Sequence, residues 1–486
     1  MKTITVDPIT RLEGHGKINI FLDDDGNVQK AIFQVPELRG FEAFAIGRPA
    51  EDMPQITSRI CGVCPTAHHM AATKALDDLF KVTPPPAAKA IRELVNCAFM
   101  TEDHALHFYF LGGPDFVLGP SAPPEQRNIL GVVGVVGKEI AGQVIDIRRR
   151  LRDLMALCAG KPIHPVFGLP GGVAKAIPES ERTQIQQLGR DTVKFAQFSL
   201  DLFRKIVLGN KDLLELVTGD IYYNETNYMG LVDADNRLNL YDGDVRVVDP
   251  AGKERLKFKP QDYAKHIAEH VEEWTYVKFP YLRDVGWRGF VDGPDSGLYR
   301  VAPLARLNVA DGMATPLAQA EYERLYETFG GKPVHHTLAN HWARLIELLY
   351  AAERITELAD LPELTSPDIR NLDFGIPSEG VGIVEAPRGT LIHHYKSDER
   401  GVLTGCNLIV ATVGNSAAIC MSIDRAAKKL IKNGNVNEGL LNMVEMAFRA
   451  YDPCLSCATH ALPGEMPLAV EIIDSKGVIV QRLERR

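Results

Sequence analysis

The chain has 486 residues, 45% of them hydrophobic and 24% charged, the balance of a folded globular protein rather than a disordered or fibrous one. With 54 basic against 63 acidic residues and no Lys/Arg block, it lacks the basic face that a general nucleic-acid binder needs to displace counterions from phosphate. The opening MKTITVDPITRLEGH holds neither an apolar secretory core nor a twin-arginine pair, and no run of about 20 apolar residues is present to span a bilayer, so a cytoplasmic protein is expected.

In chain order, KINIFL (17–22) and VQKAIFQV (28–35) flank Asp-Asp-Asp-Gly-Asn and predict a hairpin. Apolar residues then recur at helical spacing from about 66 to 111, from about 125 to 160 and through 180–209. Between about 217 and 300 the text turns rich in Tyr, Asp and Gly, with alternating runs such as RLNLYDGDVRVVD, and predicts a smaller β-containing insertion. Helical spacing returns in 316–329, 339–358 and 436–451, whereas 382–412 reads as strands and irregular segments and 468–483 as a terminal hairpin. The expected fold is mainly α, a multi-helical bundle with peripheral β-hairpins and a smaller α+β insertion. No repeat or low-complexity linker divides it, so 1–460 is read as one domain.

Eight cysteines without a secretory signal do not suggest a disulfide framework, and only two pairs are tight: Cys61/Cys64 in RICGVCPTAH and Cys454/Cys457 in DPCLSCATH. Two-residue spacing lets both thiolates of a pair face one ion, and soft sulfur favours zinc, iron-sulfur or related late first-row metals over magnesium or calcium. On spacing alone, structural zinc is the plain expectation. Against it, 390 residues separate Cys64 from Cys454, whereas most zinc ribbons and fingers are compact local modules. A histidine also follows each pair closely, His68 and His460, and Asp452 abuts the second, so groups able to carry protons crowd the sulfurs.

The segments ITRLEGHG, RGFE, RICGVCPTAHH, EAPRG and DPCLSCATH, spread from residue 9 to residue 460, together resemble the large subunit of nickel-iron hydrogenases. That resemblance implies an enzyme that reversibly cleaves H2, with all four cysteines on nickel and Cys64 and Cys457 also bridging to an iron carrying CN and CO. It implies that Arg388 of EAPRG lies over the metals, fixed by Asp452 and Asp115, and that Glu13 relays protons from a terminal cysteine. His68 is placed to bond a cysteine sulfur, and Ala411 and Thr412 match positions that contact the diatomic ligands, although NLIVATVGN departs from the familiar proline-containing version. Glu42 of RGFE, His460 and the backbone carbonyl of Leu408 match a site for magnesium or a similar ion, and such an ion keeps several waters.

Family members are typically cut after the histidine of the second motif, so residues 461–486 read as a removable extension, with an ordinary terminal hairpin as the alternative. The ending CATH resembles the soluble, cofactor-coupled branch of the family. Cys97, Cys158, Cys406 and Cys420 are scattered in apolar text and read as core residues, leaving too few for an iron-sulfur cluster. Electrons must therefore leave through an iron-sulfur small subunit, with further flavin/iron-sulfur subunits linking to NAD(P) or ferredoxin; a maturation endopeptidase is a third expected partner. His266 and His270 are expected on a solvated helix, and His335, His336 and His341 are given the same reading, without metal. The rival readings are a redox scaffold subunit like that of respiratory complex I, which lacks the cysteine pairs, and a zinc-stapled interaction protein.

Overall fold

The computed structural model describes residues 2–7, 9–459, 468–473 and 479–485, with residue 2 and the last two stretches as backbone alone. Strands β1 (Lys2–Val6), β2 (Lys17–Leu22) and β3 (Val28–Gln34) form an antiparallel sheet in that order, so the expected hairpin gains a third strand. Helices α1 (Phe41–Ala45) and α2 (Met53–Thr57) lead to α3 (Pro65–Leu79) and α4 (Pro86–Leu106). The helix expected over 66–111 is thus broken at Pro84-Pro85-Pro86, where ring closure removes N–H donors and clashes with the preceding turn. Pro86 instead opens α4, at the position where a missing N–H costs nothing.

A π-helical turn, His107–Gly112, carries α4 into α5 (Gly113–Val117), followed by α6 (Ile129–Val136) and α7 (Lys138–Ala159). After the two-residue strands β4 (Gly168–Leu169) and β5 (Gly172–Val173) come α8 (Glu179–Phe203) and α9 (Lys211–Thr218). The insertion contains β6 (Asn227–Val232), β7 (Asp244–Val248), β8 (Glu254–Phe258), α10 (Tyr263–His266), β9 (Ile267–His270), β10 (Phe279–Leu282) and β11 (Tyr299–Arg300). Its main sheet runs β11-β6-β7-β8, and Leu231 N–H on β6 donates to Glu385 Oε1 at 2.7 Å, joining the insertion to the core. Then follow α11 (Pro303–Val309), α12 (Pro316–Phe329) and α13 (Asn340–Asp360). The antiparallel sheet β12 (Glu379–Ala386), β13 (Gly389–Ser397) and β14 (Leu403–Ile409) precedes α14 (Ala411–Leu430), α15 (Glu438–Arg449) and α16 (Leu455–Ala458). Finally β15 (Leu468–Ile473) pairs with β16 (Ile479–Arg485).

The helical core centres on α13, packed between α4 and α8, with Trp342, Leu345 and Ile346 wholly removed from water, as are Leu94 and Val95 on α4. Burial of such side chains at about 1.5–3 kcal/mol each is what makes the bundle cohere. A bundle with peripheral hairpins understates the strands, because the β12–β14 sheet lies within the core against α3. Helix α14 was not legible in the sequence. Ala411 to Ile423 are continuously buried, so no polar face marks a 3.6-residue period and the run beyond residue 412 carries no predicted element. His266 and His270 are not on one helix: α10 ends at His266, and His270 lies in β9, stacked on Trp287 at 4.1 Å. The four-residue spacing there belongs to a turn and a strand.

Strand β12 approaches α3 so closely that two of its residues have to be glycine. A Cβ at Gly380 would lie 2.3 Å from Ala75 O, and one at Gly382 2.1 Å from Ala71 O. Because α3 starts beside Cys64 and β12 ends beside Arg388, this contact sets the distance between those two residues. Gly382→Ala forces backbone apart and should cost at least about 1–3 kcal/mol. Thermal melts measure this, and an unchanged midpoint would mean that strand and helix are not held together there.

Candidate metal centre

Both cysteine pairs occupy the starts of helices. Pro65 opens α3 directly after Cys64, and Cys454 immediately precedes α16, which contains Cys457. Helix N-termini carry partial positive charge and unsatisfied N–H groups, which favour thiolate. Cys61 accepts from the backbone N–H of Val63 at 3.1 Å and of Cys64 at 3.4 Å. The pairs meet in the interior: Cys61 and Cys454 Sγ are 3.2 Å apart, Cys64 and Cys457 3.2 Å, and Cys454 and Cys457 2.7 Å. All four Sγ atoms lie within 4.8 Å of one another, the only such group of metal-ligating side chains among the described residues. Burial raises the Cys454 and Cys457 thiols, while bonds from Cys454, Cys457 and Cys64 pull Cys61 down. A cluster sharing few negative charges among buried sulfurs suits a cation that displaces their protons on binding.

Glu13 lies against this cluster. Cys454 Sγ–H donates to Glu13 Oε2 at 2.9 Å, and Ser456 N–H donates to the same oxygen at 3.1 Å. Leu455 N–H donates to Glu13 O at 2.9 Å, so a short parallel bridge binds the two motifs by backbone as well. Glu13 is half-buried, beside the enclosed Cys454 sulfur.

Arg388 lines the same small cavity as Cys64, Cys454, Cys457, His68, Ala411 and Thr412. Its Nε donates to Asp452 O at 2.7 Å, and its terminal nitrogens pair with Asp452 Oδ2 at 2.8 Å and Asp103 Oδ2 at 3.3 Å. Burial opposes its charge, but Asp103 and Asp452 more than offset that and hold it protonated. Burial in turn pushes Asp452 up to about 7 despite Arg388. Thr412 Oγ accepts from Cys454 N–H at 3.0 Å, so α14 fixes the second cysteine motif.

Asp115 does not reach Arg388. It pairs with Arg11 at 2.5 Å and Arg449 at 3.0 Å and accepts from Asn442 Nδ2 at 3.0 Å. Asp103 stands where Asp115 was expected; the sequence signal was an acidic residue in the apolar text of α4. Asp115 acts one step further out, since Arg11 and the Arg449 contact to Thr10 O hold the segment that carries Glu13.

His68 Nδ1 lies 3.2 Å from His393 Nε2, and His393 Nδ1 lies 2.6 Å from Tyr395 OH, a buried chain leading away from the cavity. Glu42 is wholly buried; its Oε1 accepts from Leu408 N–H at 2.7 Å, and Lys278 Nζ lies 3.5 Å from both Glu42 and Glu269. Leu408 thus meets Glu42 through its N–H, whereas the expectation concerned its backbone carbonyl. His460 lies outside the described residues. Two carboxylates and one ammonium gather oxygen ligands and net negative charge at this point, the chemistry that suits a hard divalent cation.

These features agree with comparisons to known proteins. The family described as nickel-dependent hydrogenase matches residues 39–123 and 241–460, and one described as HoxL-like matches 3–38. The chain is 49% identical over 484 residues, 99% of both chains, to an iron-sulfur subunit of the F420-non-reducing hydrogenase of Archaeoglobus profundus. It is 37% identical, over the full length of both, to the beta subunit of the NAD-reducing hydrogenase HoxS of Cupriavidus necator. A crystal structure of NAD+-reducing [NiFe]-hydrogenase in the H2-reduced state superposes with a TM-score of 0.88 at 40% identity, over 95% of this chain and 100% of that one. The chain belongs to the nickel-dependent hydrogenases, as their catalytic large subunit.

In this hydrogenase chain the remaining cysteines, Cys97, Cys158, Cys406 and Cys420, are buried and their thiols are pushed up by that burial. His335 and His341 are not on a solvated face. His335 bonds Tyr228 OH at 2.5 Å, His341 stacks on His107, and burial lowers His341 to about 3. His336 is half-buried against Phe329. Among the described residues no helix is long and apolar enough to cross a membrane.

Burial would raise Asp115, but Arg449 and Arg11 hold it below the usual carboxylate range, so its ionised form favours the folded state. That contribution is present above the unfolded carboxyl value and is lost as pH falls through the lower folded one. Asp115→Asn should therefore cost about 3–5 kcal/mol near neutrality by leaving buried guanidiniums underpaired. The gap should begin to narrow below about pH 4 and close only as pH falls through the lower folded value. Unfolding measured across a pH series tests this; a gap unchanged into acid would mean that the charge of Asp115 is not what stabilises the fold.

Proposed function

We propose that the four thiols hold a nickel-iron centre, with Cys61 and Cys454 terminal on nickel and Cys64 and Cys457 bridging to an iron that carries CN and CO. The observation that carries this reading is the convergence of four buried Sγ atoms within 4.8 Å, one of them 2.9 Å from the Glu13 carboxylate. When bound, such a centre supplies the Lewis acid that polarises H2 and accepts its electrons. Cys454 holds a released proton on sulfur and passes it to Glu13 across the hydrogen bond already formed. Glu13, kept in place by Ser456 N–H, hands it toward solvent.

Arg388 places a fixed positive charge in the cavity, and Asp452 and Asp103 orient its planar fork. Ala411 and Thr412, at the start of α14, line the same cavity and fit contacts to the iron's diatomic ligands. His68 tunes the wall beside Cys64. Glu42, with His460 and Leu408, holds a magnesium or similar ion.

The whole of residues 1–460 acts as one catalytic unit of mainly helical build, and 461–486 is removed by a maturation endopeptidase. Electrons leave to an iron-sulfur small subunit; flavin/iron-sulfur subunits then carry them to NAD(P) or ferredoxin in the cytoplasm. Relatives named as parts of F420-non-reducing and NAD-reducing hydrogenases support an assembly of several subunits of this kind. The complex I type of scaffold is not favoured, because both cysteine pairs are present and adjacent.

Metal analysis of the protein purified with its partners should give nickel and active-site iron near one each per chain; zinc alone in a matured sample returns the site to a structural staple. Cys457→Ser removes a soft bridge and should abolish H2 turnover, and wild-type turnover would refute the bridging assignment. Arg388→Lys should keep the metals and lose activity on the order of 10²–10³-fold, since an ammonium cannot reproduce the fork. Little change in H2 oxidation would remove Arg388 from the reaction.

A further inference from the structure

Arg388 stands at the tip of a hairpin. Ala386 and Gly389 are the last paired residues of β12 and β13, so Pro387-Arg388 forms a two-residue turn. Hairpin tips are ordinarily the most mobile part of a sheet. Here three successive carbonyls of the tip are held by buried side chains from two other elements. Arg306 on α11 donates from Nη1 to Ala386 O at 2.6 Å and from Nη2 to Pro387 O at 3.1 Å. Asn415 on α14 donates from Nδ2 to Arg388 O at 2.7 Å.

Both clamping residues are themselves fixed. Arg306 is fully buried, forks onto Glu347 with two bonds of 2.6 Å, and reaches Glu385 Oε2 at 3.0 Å. Glu347 Oε2 also lies 3.0 Å from His104 Nε2. Asn415 Oδ1 accepts from Val301 N–H at 2.9 Å and Ala302 N–H at 3.1 Å, just before α11, which closes the network into a ring. Buried ion pairs add little net stability over apolar packing of the same volume. Geometry is the better reason for this one, because a planar fork fixes direction as well as distance.

We propose that Arg306 and Asn415 are positioning residues that aim the Arg388 guanidinium at the thiolates by immobilising the turn that carries it. This rests on the role assigned to Arg388 above. The test is a double-mutant cycle on the metal-loaded complex: Asn415→Ala and Arg306→Lys, each alone and combined with Arg388→Lys. Turnover, the KM for H2, metal content and the midpoint potential of nickel followed spectroscopically are read for every member.

Asn415→Ala should retain nickel and iron, lower kcat on the order of ten- to hundredfold with KM unchanged, and shift the midpoint potential. In the Arg388→Lys background it should change neither kcat nor potential further. Equal losses in both backgrounds, or activity falling only in step with metal, would overturn the clamp. Should Arg306→Lys fail to accumulate folded, the Asn415 arm decides alone. Wild-type behaviour of Arg388→Lys by itself would instead bring down the reading of Arg388, and the clamp with it.

Discussion

Two thiol pairs separated by 390 residues of chain have to meet in a space from which water is excluded, and the long elements between them are arranged around that closure. Helix α3 fixes the first pair at its start, and the β12–β13 hairpin lies against α3 at a distance only glycine permits. Helix α14 reaches the second pair through Thr412 and the hairpin tip through Asn415. The N-terminal segment closes the ring by pairing Glu13 with the Cys454 segment, by backbone and by side chain. A soft-metal site built this way cannot exist in a partly folded chain, because its two halves come from opposite ends.

Electrostatics follow from that burial. Arg388, Arg306 and Arg449 are each almost wholly enclosed, a placement that would be prohibitive for an isolated charge. Each is matched: Arg388 by Asp103 and Asp452, Arg306 by Glu347 and Glu385, Arg449 by Asp115 and Glu445. The three groups do different things. The first faces the cavity, the second holds the turn carrying the first, and the third ties the Glu13 segment to α5 and α15. Preorganisation is the common effect: charges already fixed need no rearrangement when the substrate reacts.

The site also separates two routes out of the enclosure. Glu13 joins a buried thiol to a half-exposed carboxylate, which suits the stepwise passage of protons. Electrons have no such route through the four other cysteines, which are dispersed through the core and hold their protons.

The sequence by itself marked the two cysteine pairs, most helices and the β-rich insertion, because spacing and periodicity are local properties, while Glu13 and Arg388 stood out only through the resemblance of their motifs to a known family. It could not determine which carboxylate meets Arg388. Asp103 and Asp115 are both acidic residues in apolar surroundings twelve positions apart, and only the packing of α4 against the second motif decides between them. Helix α14 was hidden for the opposite reason: from Ala411 to Ile423 it is buried on every side and presents no polar face from which a period can be read. Arg306 and Asn415 carried no motif at all. Their role depends on three backbone carbonyls that come within reach only when α11, α14 and the hairpin are packed together, and no local pattern encodes a contact made by tertiary closure.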